Sequence, residues 1–282
     1  CGKSSRLPLF LLESSDNAKM FVSQPRRIAA RSLCDRVRST LPPDKQDVCG
    51  LRLGHGERDE HGRATRLWFC TTGYLVRLLA SYPKSFASHT HLVIDEVHER
   101  SIDTDVLCLL ARRLVESHPS IRLVLMSATL CASLYKDYFG LSEEHIFVGA
   151  RRFENKEFFS DDVVSSLMRM PPRSRTSAMQ LTEWTSKREE GVTSRILRLQ
   201  YALARDLVHR IGSGSSSILI FVAGMNDITE LTDILNSLNS PNQARRFETF
   251  PIHSDVPYEE QARVFQSSDD PNLVRVVIAT NA

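Results

Sequence analysis

No apolar run in the chain is long enough to cross a membrane as a helix, and no signal peptide opens it. This excludes a helical membrane span and predicts no membrane partner. Cysteine is sparse and unpaired in pattern: Cys1, Cys34, Cys49, Cys70, Cys108 and Cys131 form no CxxC pair, and none follows Cys131. That is neither a disulfide framework nor a zinc pattern, and it predicts reduced thiols in an intracellular protein, cytoplasmic or nuclear. Charge of one sign is also missing. The 36 basic and 34 acidic residues nearly cancel, so any surface for nucleic acid has to be local. His89 and His91 stand before an apolar run with no third ligand type at metal-site spacing, and read as structural or solvated. No short-period repeat is visible. The opening "CGKSSRLP" lacks an initiator methionine and begins in mid-pattern, which reads as a piece of a longer protein.

What is present is an alternation of short apolar runs with amphipathic stretches. Met20 to Val22 precedes the helical pattern "RRIAARSLCDRV", Arg66 to Cys70 precedes "YLVRLLASY", and His91 to Ile94 precedes a helix. That last helix should bury Val106, Leu107, Leu110, Ala111 and Leu114, and Ile121 to Met126 follows it. Ser217 to Val222, "FPIHS" and "LVRVVIAT" are three further strands, with Asn226 a plausible helix N-cap and "YEEQARVF" helical. Alternating strands and helices predict parallel, doubly wound α/β sheets. The polar, arginine- and serine-rich stretch from Arg169 to Gly191 reads mostly as surface loop, with a short helix at Met179 to Trp184. The predicted division is residues 1–150, a connector with a loop insertion at 151–193, and a second α/β domain from 194 to 282.

The chemistry concentrates where strands end. Leu92-Val93-Ile94 runs straight into Asp95, Glu96, His98, Glu99 and Arg100. An unalternating apolar run is a strand buried on both faces, and open α/β sheets take their ligands at strand carboxyl ends. Gly2-Lys3-Ser4 matches the tail of GxxxxGK[ST]. In that loop backbone N–H groups cradle phosphates, lysine reaches the outer phosphates, and the hydroxyl ligates Mg²⁺. Asp95 suits the carboxylate that Mg²⁺ prefers, and Glu96 could deprotonate an attacking water. Arg26 and Arg27 start a predicted helix, where positive charge opposes the macrodipole; a phosphate backbone or plain solvation would each compensate them. Thr71, Thr72 and Gly73 suit either a phosphate contact or simple helix capping.

The ordered set "CGKSS", "SQPRRIAA", "FCTTG", "DEVHER", "SAT", "IFVAGMNDI", "PIHS…EEQARVF" and "VVIATNA" resembles the DEAH/RHA group of superfamily 2 RNA helicases, from Cys1 to Ala282. The resemblance implies two RecA-like domains of the P-loop NTPase class, both truncated at the chain ends, that couple Mg-ATP hydrolysis to translocation on RNA and its unwinding. It implies nucleotide binding by Gly2, Lys3, Ser4 and Ser5, and Mg²⁺ at Ser4 and Asp95. Glu96 would be the catalytic base, and His98 would link hydrolysis to motion. Ser127 and Thr129 would couple hydrolysis to strand separation. Arg26, Arg27, Thr72 and Gly73, with Gly224, His253, Ser254 and Thr280, would touch the backbone of single-stranded RNA.

Two departures stand out. "RRFENKEFF" replaces the family's usual proline-valine in the connecting strand, and Arg52 to Thr65 is longer and more charged than the usual turn, reading as a loop insertion. The family also carries leading glycines upstream and arginine fingers downstream, so the chain alone is expected to hydrolyse ATP barely or not at all. Two other readings remain open: a catalytically silent RNA-binding scaffold of the same fold, and a DNA-directed DExH motor.

Overall fold

The computed structural model describes residues 2–128, 132–149, 154–159, 162, 172–187, 191–214, 216–239, 244–266 and 268–280. The chain divides into two compact units, Cys1–Phe153 and Glu154–Ala282.

The first unit runs α1 (Lys3–Glu13), β1 (Met20–Gln24), α2 (Arg27–Thr40), β2 (Cys49–Arg52), β3 (Arg58–Asp59), β4 (Leu67–Thr71), α3 (Thr72–Ser81), β5 (His91–Ile94), α4 (Ile102–Ser117), β6 (Arg122–Leu125) and α5 (Ala132–Phe139). Its six-stranded sheet has the order β3-β2-β4-β1-β5-β6, parallel except for β3. The apolar runs are buried on both faces because strand side chains alternate. Phe21, Trp68, Cys70, Leu92 and Ile94 join Leu75 and Leu79 of α3 and Leu107, Ala111 and Leu114 of α4. Met20, Val22, Leu67, Phe69 and Val93 join Leu12, Ala30, Cys34 and Val37 from α1 and α2. Cys34, Cys49, Cys70 and Cys108 are free and buried, and burial pushes the Cys108 thiol up to about 11.

Two local expectations change here. The buried stripe of α4 carries Thr104, Leu107, Cys108, Ala111 and Leu114, leaving Val106 exposed. Ser101 starts the helix, its hydroxyl accepting from Thr104 N–H at 3.2 Å. The predicted insertion is not a plain loop. After a 3₁₀ turn at Gly54–Gly56, β3 folds back antiparallel on β2, with Leu51 opposite Asp59 and Arg52 opposite Arg58. Glu60 then accepts from the Arg52 guanidinium at 2.8 Å and the Trp68 indole at 2.9 Å.

The second unit holds α6 (Pro172–Lys187), α7 (Ser194–Ile211), β7 (Ser217–Phe221), α8 (Met225–Asn236), β8 (Arg246–Ile252), α9 (Tyr258–Ala262) and β9 (Leu273–Ala279). Helix α6 occupies the stretch read as mostly loop. It packs along α7 and buries Ala178 and Leu181, two apolar residues three apart in an otherwise polar segment. The sheet is parallel with the order β7-β9-β8. Pro251 is tolerated within β8 because that strand is an edge of the three described. Tyr201 and Val208 of α7 and Ile228, Leu231 and Leu235 of α8 cover Val274, Val276 and Ile278. The N-cap of α8 is Gly224 rather than Asn226, because Asp227 reaches back to accept from Ala223 N–H at 3.1 Å and Gly224 N–H at 3.0 Å.

Candidate nucleotide-binding site

Parallel register brings the strand exits of the first unit to one edge. Gln24 lies beside Thr71, Ser23 beside Ile94, and Ile94 beside Leu125. The residues that follow those positions are the ones the sequence singles out.

On the phosphate side, Gly2 caps α1 in the left-handed region at φ 77°, where the absence of a Cβ removes the strain. Its carbonyl accepts from Arg6 N–H at 2.8 Å and from the Ser5 hydroxyl at 3.3 Å. Lys3 and Ser4 open the helix, whose first turn has no acidic residue, so its N–H groups and positive end favour an anion. The Lys3 ammonium donates to the Ser127 carbonyl, just past the end of β6. Thr129 lies outside the described residues.

An acidic turn follows β5. Asp95 is 4% exposed, and its carboxylate accepts from Gln24 Nε2 at 2.7 Å and from Glu96 N–H at 2.9 Å. Glu96 and Arg100 take left-handed conformations, φ 54° and 50°, on either side of a 3₁₀ turn at Val97–Glu99. Non-glycine residues there cost on the order of 1–3 kcal/mol each and need outside support. Val97 N–H supplies some by donating to the Met126 carbonyl at 3.1 Å, and the Tyr135 hydroxyl donates to the Val97 carbonyl at 2.6 Å. Arg100 is held by a two-pronged bond to Asp105, at 2.7 and 2.9 Å.

Burial holds the Glu96 carboxyl above the usual carboxylate range, with Asp95 and Glu99 adding to the effect and His98 and Lys3 opposing it. His98 Nδ1 is 3.2 Å from Glu96 Oε2 and 3.4 Å from Ala128 N. One ring nitrogen thus faces a carboxylate acceptor and an amide donor. It can serve only one at a time, according to whether it carries a proton.

The donor set fits Mg²⁺. Ser4 and Asp95 offer hard oxygen donors, each Asp95 oxygen keeps a lone pair beyond its hydrogen bond, and Mg²⁺ draws its other ligands from water and phosphate. Among the described residues no cluster of three or more His, Cys, Asp or Glu is set to enclose a metal.

The remaining candidates divide by environment. Arg26 Nη2 pairs with Glu99 Oε1 at 3.3 Å, joining the start of α2 to the acidic turn after β5, and Arg27 pairs with Glu57 at 2.5 Å. Thr72 is buried and donates its hydroxyl to the Gln24 carbonyl at 3.2 Å. A Cβ on Gly73 would lie 3.0 Å from Asp103 Oδ2. The side-chain needs of both positions are therefore local, and what they offer an anion is the unpaired N–H groups of a helix start.

In the second unit Gly224, His253, Ser254 and Thr280 follow β7, β8 and β9. The exits are tied by Val222 N–H donating to Ala279 at 2.9 Å and Thr280 N–H to Ile252 at 3.1 Å. His253 Nδ1 accepts from Asp255 N–H at 3.1 Å, and Ser254 Oγ donates to Asp255 Oδ1 at 3.3 Å. The Thr280 hydroxyl is buried with no hydrogen-bond partner among the described residues. Gly224 is extended and has open space where a Cβ would go.

Gln24, Glu57 and Asp227 are supporting residues that sequence reasoning passed over. Gln24 had a signal, being a polar residue at the end of an apolar strand. Asp227 had another, an acid three residues after a glycine at a strand exit.

No family model matches the chain. Over its whole length it is 32% identical to the ATP-dependent RNA helicase DHX30 of Gallus gallus, of which it spans 22%. It is 29% identical to the DExH-box ATP-dependent RNA helicase DExH1 of Arabidopsis thaliana and spans 32% of that protein. A probable ATP-dependent RNA helicase, spindle-E of Drosophila pseudoobscura pseudoobscura, is 29% identical and 20% spanned. The Escherichia coli DEAH/RHA helicase HrpB superposes with a TM-score of 0.64 at 23% identity, over 99% of this chain and 31% of that one. The chain thus spans between 20% and 32% of the length of these curated relatives.

Proposed function

We propose, from the chain's kinship over its whole length with the DExH-box ATP-dependent RNA helicases, that it is the nucleotide-hydrolysing part of an ATP-dependent RNA helicase. In this reading ATP turnover at the first unit drives movement along single-stranded RNA and separation of its paired strand. The observation that carries it is the hydrogen bond from the Lys3 ammonium to the Ser127 carbonyl, which joins two sequence motifs far apart in the chain at one sheet edge.

Lys3 and the first N–H groups of α1 would hold the outer phosphates of ATP. Mg²⁺, held by Ser4 and Asp95, would neutralise phosphate charge and bring the transferred group into line. Glu96, whose proton affinity burial raises, would orient and deprotonate the attacking water. Arg26, through its ion pair with Glu99, would let occupancy of the RNA site be felt at the catalytic turn. Backbone contacts carry no sequence information, which suits a motor that must step along any RNA.

The test is ATP turnover by the full-length protein with and without single-stranded RNA, run beside Glu96→Gln. RNA-stimulated turnover that Glu96→Gln abolishes is the expected result. Turnover no greater than that of Glu96→Gln would sink the motor and leave an RNA-binding scaffold. Equal stimulation by DNA of the same sequence would replace RNA with a DNA track, because an RNA reader uses the 2′-OH.

A further inference from the structure

Glu57 has no part in the chemistry above, yet it engages two arginines at the start of α2. Its Oε2 accepts from Arg27 Nη2 at 2.5 Å, and its Oε1 pairs with Arg31 Nη2. Arg27 and Arg31 are four residues apart and therefore project from one face of the helix. With Arg26 they place three cations at the positive end of a helix that has no acid in its first turn. Such a surface attracts an anion, and the anion set against it is Glu57.

That carboxylate is delivered by the backbone rather than left to swing. The hairpin turns through Gly54–Gly56, where Gly56 takes φ 82°. Leu53 N–H donates to the Glu57 carbonyl at 2.9 Å, and the next two residues pair with β2. Arg38 grips Asp59 and donates to the Cys49 carbonyl at 3.0 and 2.8 Å, while Arg52 and Trp68 hold Glu60. The base of the hairpin is anchored on both sides, and its tip presents one acid to two guanidinium groups.

A carboxylate shared by two guanidinium groups offers them what an RNA phosphate offers: negative charge and paired acceptor oxygens. We propose that Glu57 is a built-in stand-in for a backbone phosphate, which RNA must displace to reach Arg27 and Arg31. Arg31 thereby joins Arg27 as a phosphate contact, and Glu57 sets how strong a polyanion must be to bind. The proposal rests on the reading of Arg27 as an RNA-backbone residue. The three side chains are 58%, 28% and 30% exposed for Arg27, Arg31 and Glu57, so a strand can reach them from solvent. A polymer that engages many cations at once can replace Glu57 where a free phosphate or nucleotide cannot, which makes the contact a filter against weak anions.

The experiment measures binding of a labelled single-stranded RNA to the full-length protein by anisotropy across a salt series. It compares the wild type with Glu57→Gln, Glu57→Ala, Arg27→Gln and Glu57→Gln combined with Arg31→Gln. Both Glu57 variants should bind RNA about three- to ten-fold tighter at low salt, the range expected for releasing two exposed ion pairs. Their salt slope should steepen by about one counterion per arginine freed. The added Arg31→Gln change should remove most of the gain. If both Glu57 variants bind as the wild type does, or more weakly, while Arg27→Gln still weakens binding, the stand-in is refuted and Glu57 is only a stabiliser of the helix start. A lowered melting temperature without tighter binding has the same meaning. If Arg27→Gln has no effect, or no variant binds RNA, the parent reading fails, and the proposal with it.

Discussion

Replacing Gln24 with leucine tests the arrangement around Asp95 without touching a reacting group. Gln24 and Asp95 are 2% and 4% exposed, and the amide-to-carboxylate hydrogen bond between them is 2.7 Å long. Leucine is close in size and removes the amide that donates to Asp95, leaving the carboxylate with the Glu96 N–H. The Thr72 hydroxyl still finds the backbone carbonyl of residue 24, so α3 keeps its anchor. A hydrogen bond to a charged group contributes about 1.5–3 kcal/mol, and a buried carboxylate left short of donors pays its desolvation cost in full. The expected loss is therefore about 2–3 kcal/mol in the unfolding free energy of the first unit. For a unit of this size that corresponds to a fall of about 4–12 °C in melting temperature. Urea denaturation followed by circular dichroism, with scanning fluorimetry in parallel, reads both. A loss under about 0.5 kcal/mol, the size of an ordinary surface substitution, would mean that Asp95 does not depend on Gln24 and that the local geometry argued here is wrong.

Other consequences are as direct. Burial, Asp95 and Glu99 raise the proton affinity of Glu96 in the folded state, so folding takes up a proton between the ordinary value of 4.5 and the raised one, and stability falls as pH climbs through that window. Glu96→Gln removes this cost, so the variant should be more stable than the wild type at neutral pH and should lose its advantage below pH 4.5; melting curves at several pH values decide, and a constant difference would contradict the shift. A Cβ at Gly214 would lie 1.8 Å from the Pro271 carbonyl oxygen, so Gly214→Ala should destabilise the second unit by about 1–3 kcal/mol in denaturation, and an unchanged midpoint would contradict that close approach. Asp227 accepts from two backbone N–H groups and, at 2.5 Å, from the Tyr201 hydroxyl. Burial first, and Asp227 second, raise the proton affinity of Tyr201, so Asp227→Asn should let that tyrosine ionise at lower pH in an ultraviolet titration; an unmoved titration would remove Asp227 as its partner.

Much of this fold could be read before any coordinates. Leu92, Val93 and Ile94 announce a strand buried on both faces, and Asp95 follows it as an acid at a carboxyl edge. Where reading along the chain went astray, the missing information was not local. Helix α6 is polar enough to pass for a loop, and it becomes a helix by burying only a few residues along α7. The excursion from Arg52 to Thr65 has too few apolar residues to signal a strand, and β3 forms there because β2 offers a free edge. Val106 fits the helical period as well as its neighbours do, and packing against α3 and β6 decides which side of the helix is buried.

By itself, then, the order of residues settled which chemical groups the protein owns and that they follow strand ends, because strand burial and helix periodicity are short-range patterns. The tertiary structure decided who meets whom. Gln24 reaches Asp95 across 71 residues of chain, Lys3 reaches Ser127 across 124, and Glu57 reaches Arg27 across 30. Those meetings depend on strand order and parallel register, which follow from burying both faces of one sheet at once and are written in no single stretch of sequence.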